Sequence, residues 1–139
     1  MDKVLIDTDV VLDFLFDRKP FSDQSSQIII MCENRKIKGF ITSIMVSNIY
    51  YLLRKTASHE KVIDSIKKLM QIIEVLTTNK VAVLSALNSE FKDFEGALQN
   101  YSAQINDEIT IIVTRNTKDY KFSKLSIMTP ESYIKLHKQ

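Results

Sequence analysis

Apolar residues follow two different periods along this chain, and the period changes from one segment to the next. Short, mostly apolar runs bounded by polar residues are typical of buried strands. Between these runs, apolar residues recur at intervals of three and four, which predicts amphipathic helices. The predicted strands are 3–6 (KVLI), 38–43 (KGFITS), 72–76, 110–114 (TIIVT) and 126–129 (SIMT).

The predicted helices fill the intervals between the strands. Pro20 is expected to end the first helical segment, Ser22 and Ser58 are candidate caps, and Pro130 suits the first turn of the last helix. The helices between are predicted over about 21–35, 43–55, 58–71, 79–87 and from Asp93 onward.

Strands that alternate with helix-length segments predict an α/β fold with a mainly parallel sheet and helices on both faces. In such sheets the ligand site lies beyond the carboxyl ends of the strands. Asp7 follows the first strand, and the segment 114–120 (TRNTKDY) follows the strand at 110–114. Both clusters are therefore expected at the same edge of the sheet.

Composition narrows the class of protein. With 139 residues, two glycines and two prolines, the chain is expected to form one domain over 1–139. Its apolar runs are far shorter than the roughly 20 residues that span a bilayer, and the N-terminus does not resemble a signal peptide. The single Cys32 fits a reducing compartment, so a cytoplasmic protein without a membrane partner is expected. A net charge of +2 does not by itself indicate nucleic-acid binding.

Four motifs occur in the order and spacing of a known family. They are VLIDTDVVLDFL, SNIYYLLRK, DFEGALQNYSA and TRNTKDYKFSKLSIMTP, and between Lys3 and about Leu136 the chain resembles PIN domains, closest to the VapC branch of toxin–antitoxin ribonucleases. The resemblance implies a PIN-like three-layer α/β/α sandwich with a mainly parallel central sheet of four or five strands.

The resemblance also implies an activity, namely metal-dependent cleavage of RNA by a pocket of three or four acids that binds Mg²⁺ or Mn²⁺. Carboxylates suit this chemistry because hard cations take oxygen ligands. By resemblance, the first acid is Asp7 and the last is Asp119, with Thr114 and Asn116 in the supporting turn. An antitoxin protein partner and a homodimer are expected on the same basis.

Two positions depart from the nuclease pattern. Asn48 and Gly96 stand where the second and third acids of the family are usually found, and Glu95 and Asp9 are the candidates to replace them. Without the resemblance, Asp7 has the alternative interpretation of a helix cap, and Asp119 that of a turn residue. Glu95 would then only interact with the helix dipole.

Basic and aromatic residues near the same edge are candidate RNA contacts. Arg115, Lys118 and Lys121 would contact phosphates, as would Arg54 and Lys55 on the helix predicted over 43–55, although a solvated charged surface explains each of them equally well. Tyr50 and Tyr51 would stack on bases, but packing in the core or in a dimer is favoured for both.

Three hypotheses remain at this point. The first is a weakened nuclease in which Asp7 and Asp119 hold one ion. The second is an inactive PIN pseudoenzyme, with no metal bound, that binds RNA or an antitoxin. The third is a structural protein whose cleft has no chemical role.

Overall fold

A computed structural model of the protein describes residues 1–106 and 108–137. Within these residues, five strands alternate with seven α-helices and one short 3₁₀ helix. The strands are β1 (Lys3–Ile6), β2 (Lys38–Thr42), β3 (Glu74–Leu76), β4 (Ile111–Val113) and β5 (Ser126–Met128). The α-helices are α1 (Thr8–Leu15), α2 (Ser22–Glu33), α3 (Ser43–Arg54), α4 (His59–Met70), α5 (Lys80–Leu87), α6 (Phe94–Ile105) and α7 (Pro130–His137), and the 3₁₀ helix covers Thr117–Tyr120.

All five strands run parallel, in the order β3-β2-β1-β4-β5. The first two crossovers move outward from β1 in one direction, and the later ones move in the other. Because such crossovers are right-handed, the two sets of helices lie on opposite faces of the sheet. The predicted class, a three-layer α/β/α fold with a parallel central sheet, is confirmed.

The central strand β1 lies at the point where the strand order reverses. Leu5 pairs with Phe40 of β2 on one side and with Ile112 of β4 on the other. Just beyond β1, the backbone N–H of Asp7 donates to the Val113 carbonyl at 2.9 Å. A crevice opens at such a reversal beyond the carboxyl ends of the strands, and Asp7 lies at its base.

Two helices end differently from the sequence prediction. The first helix ends at Leu15, not at Pro20, because Asp17 adopts a left-handed conformation (φ 51°). The N–H of Arg18 then donates to the Asp13 carbonyl at 3.0 Å, which completes a Schellman motif. The second helix ends at Glu33 in the same way, with Arg35 at φ 58°.

The prediction that Ser22 caps α2 is wrong. Ser22 is already the first residue of the helix, and Phe21 occupies the cap position without a side-chain hydrogen bond. The Ser22 N–H donates to the carbonyl of Arg18 at 2.7 Å, so a backbone turn satisfies this group. In contrast, Ser58, Asn79 and Asp93 each cap the following helix with their side chains.

The core is built around β1, whose Val4, Leu5 and Ile6 are fully buried. Cys32 of α2 lies in the same core, and burial raises the pKa of its thiol to about 12, so the residue packs as a neutral apolar group. In the described part of the chain, every helix is too short or too polar to cross a membrane.

We predict that Gly39→Ala destabilises the protein by about 1–3 kcal/mol, the usual cost of overpacking a core. A methyl group at this position in β2 would lie 2.7 Å from Cys32 Sγ and 2.9 Å from Ile6 Cδ1. Urea denaturation measures the loss. In a Cys32→Ala background the cost of Gly39→Ala should fall, since the nearest atom is removed. A neutral Gly39→Ala protein would contradict the prediction.

Candidate active site

Asp7 is the buried acid at the base of the crevice, and two donors hold its carboxylate. The hydroxyl of Thr114 donates to Oδ2 at 2.7 Å, and the backbone N–H of Thr8 donates to Oδ1 at 2.8 Å. Thr114 is itself fully buried at the end of β4. Asp7 therefore caps α1 and also lines the crevice, so its two interpretations are compatible.

The electrostatic environment disfavours a negative charge on Asp7. Burial raises its pKa from 3.8 to about 6, against the lowering effect of the hydrogen bonds from Thr114 and Thr8. The negative charges of Asp9 and Glu95 raise the pKa further. Several carboxylates thus share this cleft, and among the described residues no Lys or Arg lowers the pKa of Asp7, an arrangement that favours a bound cation.

Glu95 reaches the cleft from the first turn of α6. Its Oε1 accepts hydrogen bonds from Asn48 Nδ2 at 3.1 Å and from Gln99 Nε2 at 3.1 Å, with Thr8 Oγ1 at 3.4 Å. These donors come from three different helices. These contacts direct the Glu95 carboxylate toward Asp7. Glu95 does so although it is one residue before position 96, where the acid was expected.

A buried tyrosine orients the amide that supports Glu95. The hydroxyl of Tyr120 donates to Gln99 Oε1, which leaves the Gln99 amide N–H free to donate to Glu95. Burial, followed by the charge of Asp7, holds the pKa of Tyr120 far above its ordinary value. Tyr120 therefore remains a neutral donor, and Gln99 keeps its N–H groups toward the acid.

Gly96 lies where the cap of α6 leaves little room for a side chain. Its N–H donates to Asp93 Oδ2 at 2.9 Å, and a Cβ atom at this position would also lie 2.9 Å from that oxygen. Any other residue would force the Asp93 carboxylate to move. The glycine therefore matches the local capping geometry, at the position where relatives are expected to carry an acid.

The turn after β4 brings two more candidates to the cleft. Asn116 donates from its backbone N–H to Thr114 Oγ1 at 3.0 Å and from Nδ2 to Asp9 Oδ2 at 2.6 Å. Asp119 lies in the 3₁₀ helix as an exposed residue, and its backbone N–H donates to the Asn116 carbonyl. The turn is thereby attached to both β4 and α1.

These groups line one cavity of about 550 Å³. All five residues proposed from the sequence as catalytic lie in its wall, namely Asp7, Asn48, Glu95, Asn116 and Asp119. Several lining residues were not proposed for the site from the sequence, including Thr8, Leu52 and Gln99. The position of Gln99 one helical turn after Glu95 is the feature of the sequence that could have identified it as a site residue. The full lining is Asp7, Thr8, Asp9, Leu12, Asn48, Tyr51, Leu52, Lys55, Asp93, Glu95, Gln99, Asn116 and Asp119.

Of the basic residues proposed for RNA binding, Lys55 lines this cavity, whereas Arg115, Lys118 and Lys121 do not. Arg115 instead pairs with the fully buried Asp13, at 2.7 Å from Nε to Oδ2, and its guanidinium lies over the ring of Phe21. Lys118 and Lys121 are exposed outside the cavity. Arg115 departs from the expectation because Asp13 requires a cationic partner in the interior.

Asp13 has a second cationic partner. Arg18 Nε lies 2.9 Å from Asp13 Oδ1, and Arg115 also contacts this oxygen at 3.3 Å. Through Asp13, the two arginines link α1, the loop after it and the turn that carries Asn116. Arg115 therefore positions the turn beside the cleft instead of offering its charge to a ligand.

The donors in the cleft suit a hard divalent cation but do not form a complete cage. Among residues 1–106 and 108–137, no three His, Cys, Asp or Glu side chains are grouped so that they would hold one metal ion together. The carboxylates of Asp7, Glu95 and Asp119 nevertheless supply only oxygen ligands, and Mg²⁺ is often bound by one or two carboxylates together with water and phosphate oxygens. The residues present therefore fit a single ion with an open coordination sphere.

The chain is similar to known proteins in sequence and in fold. A family profile described as PIN domain matches residues 3–118. The chain is similar to Ribonuclease VapC1 of Aquifex aeolicus (strain VF5), with 26% identity over 137 residues that cover 95% of this chain and 93% of that protein.

Two solved structures share the fold. A toxin–antitoxin complex from Klebsiella pneumoniae matches with a TM-score of 0.68 and 19% identity, covering 91% of this chain and 97% of that chain. VapBC2 from Rickettsia felis, bound to a DNA fragment from its promoter, matches with a TM-score of 0.65 and 12% identity, covering 91% and 98%.

We predict that Asp7→Asn stabilises the metal-free protein at pH 7.5 by up to about 3 kcal/mol. Because burial raises the folded-state pKa from 3.8 to about 6, the wild-type protein loses stability as the pH rises through this range. The neutral amide avoids this loss, so the difference between the two proteins should vanish below about pH 4.

Thermal or urea unfolding in EDTA across this pH range measures the difference. Asp64→Asn is the matched control, since Asp64 is exposed on α4 and pairs only with Lys68 in the described part of the chain. A less stable Asp7→Asn protein at pH 7.5 would mean that the hydrogen bonds from Thr114 and Thr8 outweigh the cost of burial.

Proposed function

This chain belongs to the PIN domain family, and we propose on this premise that it is a metal-dependent endoribonuclease of the VapC toxin type, with activity weakened by its incomplete set of acids. The observation that carries the proposal is the position of Glu95. Its carboxylate is held in the same cavity as Asp7 by Asn48 and Gln99. The cleft therefore keeps a third acid although Gly96 has no side chain.

In such a site, different residues of this chain would have different roles. Asp7 and Asp119 would hold one Mg²⁺ or Mn²⁺ ion, and Glu95 is the replacement for the missing acid. Such an ion, when bound, activates water and neutralises charge at the phosphate. Thr114 fixes the Asp7 carboxylate through a 2.7 Å hydrogen bond, and Asn116 joins the 3₁₀ turn to Asp9. These contacts hold the acids in place before the substrate arrives.

A second candidate function is an inactive PIN pseudoenzyme that binds RNA or an antitoxin. Two observations favour it. The described residues contain no group of three potential ligands placed to hold a metal, and Gly96 lacks the acid expected there. Each missing ligand that costs about 1.4 kcal/mol of binding free energy weakens the binding of the ion tenfold. The two candidate functions require the same fold and differ in whether the protein hydrolyses RNA.

The proposal includes partners. RNA is the substrate expected of a VapC-type ribonuclease, and the similar structures from Klebsiella pneumoniae and Rickettsia felis are toxin–antitoxin and VapBC assemblies. We therefore propose that this chain has an antitoxin partner and forms a homodimer. Co-purification from its native host, and the mass of the isolated protein in solution, test these two points separately.

We predict that the purified protein cleaves a labelled mixed RNA pool in Mn²⁺, and that Asp7→Asn lowers the rate by at least about 100-fold, the effect of an essential catalytic group. Glu95→Gln should lower it as well, since the amide keeps the length of the side chain but removes its charge. Gly96→Asp should raise the rate by adding the missing carboxylate, at the expense of the Asp93 cap.

The control is Asp64→Asn, prepared in the same way, which should cleave like the wild-type protein. Cleavage that persists in Asp7→Asn would overturn the proposal, because the activity would not depend on this cleft. No cleavage by the wild-type protein, with activity in Gly96→Asp, would support the inactive pseudoenzyme and identify the glycine as its cause.

A further inference from the structure

One wall of the cavity is a regular stripe of side chains on α3. Asn48, Tyr51, Leu52 and Lys55 all line the cavity and occupy positions i, i+3, i+4 and i+7 of this helix. The stripe begins at Asn48, which is bonded to Glu95 at 3.1 Å, and runs away from the acids. It therefore extends the cleft in one direction along the helix.

We propose that this stripe is a nucleotide-binding subsite, in which Tyr51 stacks on the base beside the scissile phosphate and Lys55 contacts the next phosphate of a single-stranded RNA. The inference rests on the proposed function, because it assumes that RNA enters this cleft. Nothing in the catalytic arrangement of the acids requires either residue, so the subsite is a separate claim about binding.

The exposure of Tyr51 is the first support for this subsite. Its side chain is 66% exposed, so Tyr51 does not pack in the core, and packing in a dimer, the other part of the expectation, stays a prediction. Its neighbour Tyr50 is largely packed against the core cluster. An exposed aromatic ring in the wall of a polar cleft is the kind of platform on which bases stack in single-stranded nucleic-acid sites.

The second support is that the ring of Tyr51 is braced. Tyr50 meets it edge to face, with ring centroids 5.0 Å apart and planes at 85°. The hydroxyl of Tyr50 is in turn 2.9 Å from His59 Nδ1 of α4. Because the neighbouring ring is fixed from two helices, Tyr51 loses little conformational freedom when a base stacks on it.

The third support is the distribution of charge. Five acids line the cavity, and Lys55 is the one Lys or Arg residue among the lining side chains of the described chain. A phosphate that approaches these acids is repelled unless a cation or a metal compensates. Lys55 lies seven residues after Asn48, a step that rises about 10 Å along the helix axis and that one or two nucleotides of an extended strand can bridge.

Binding and cleavage assays on the full chain test the subsite. Anisotropy of a short, labelled, single-stranded RNA of mixed sequence, in EDTA, measures affinity without cleavage. We expect Tyr51→Leu to weaken binding roughly tenfold, as for the loss of one stacked base, and Tyr51→Trp to retain it. In Mn²⁺, Tyr51→Leu should raise KM more than it lowers kcat.

Lys55→Gln has a separate signature. It should reduce the slope of log affinity against log salt concentration by about one unit, because one phosphate contact is lost. The matched controls are Phe16→Leu and Lys61→Gln, which remove an exposed aromatic and an exposed cation that do not line the cavity. Both controls should bind RNA as the wild-type protein does.

The outcomes separate this inference from the proposed function. Wild-type protein that cleaves RNA, with unchanged affinity in Tyr51→Leu, would overturn the subsite alone. A Tyr51→Leu protein with normal RNA affinity but an altered mass in solution would show that Tyr51 contacts a second protein chain instead. Wild-type protein that binds RNA through Tyr51 without cleaving it would support the subsite and reject the nuclease. Wild-type protein that neither binds RNA in EDTA nor cleaves it in Mn²⁺ would overturn both.

Discussion

The carboxylate of Asp7 is buried where β1, β4 and α1 meet, and the geometry of the cleft depends on how this charge is accommodated. Thr114 and Thr8 each donate one hydrogen bond to it, but burial still raises its pKa to about 6. A folded protein keeps such an unfavourable group only if the surrounding structure is stable enough to hold it. Here that structure is the fully buried β1 and its two parallel neighbours.

In the first turn of α6, the site keeps a carboxylate although Gly96 has no side chain. Gly96 donates its N–H to Asp93, and the glycine gives this capping carboxylate the space that a Cβ would occupy. The neighbouring Glu95 points elsewhere on the helix, yet its longer side chain reaches Asn48 and Gln99. One residue thus caps and another supplies charge, so the first turn of α6 serves both purposes without an acid at 96.

Charges outside the cleft are arranged to hold it and not to bind a ligand. Asp13 is completely buried and contacts both Arg18 and Arg115, and removing its cationic partners would be strongly destabilising because the charge would remain buried without compensation. The guanidinium of Arg115 is therefore committed to the interior. It secures the start of the turn whose next residue, Asn116, bonds to Asp9 of α1. Among the described residues, the one Lys or Arg that lines the cleft is Lys55, the residue directly after α3.

The sequence by itself determined the alternation of strands and helices, the α/β class, and the meeting of Asp7 with the 114–119 segment at one edge of the sheet. These features follow from local periodicity and from the rule that parallel strands share a carboxyl edge. Only the tertiary structure decided that Glu95 reaches Asn48, 47 residues away, and that Arg115 turns to Asp13, 102 residues away. It likewise decided that Tyr51 is exposed in the cleft. Such contacts depend on side-chain reach and on the desolvation of buried charges, which become defined only when distant segments pack together.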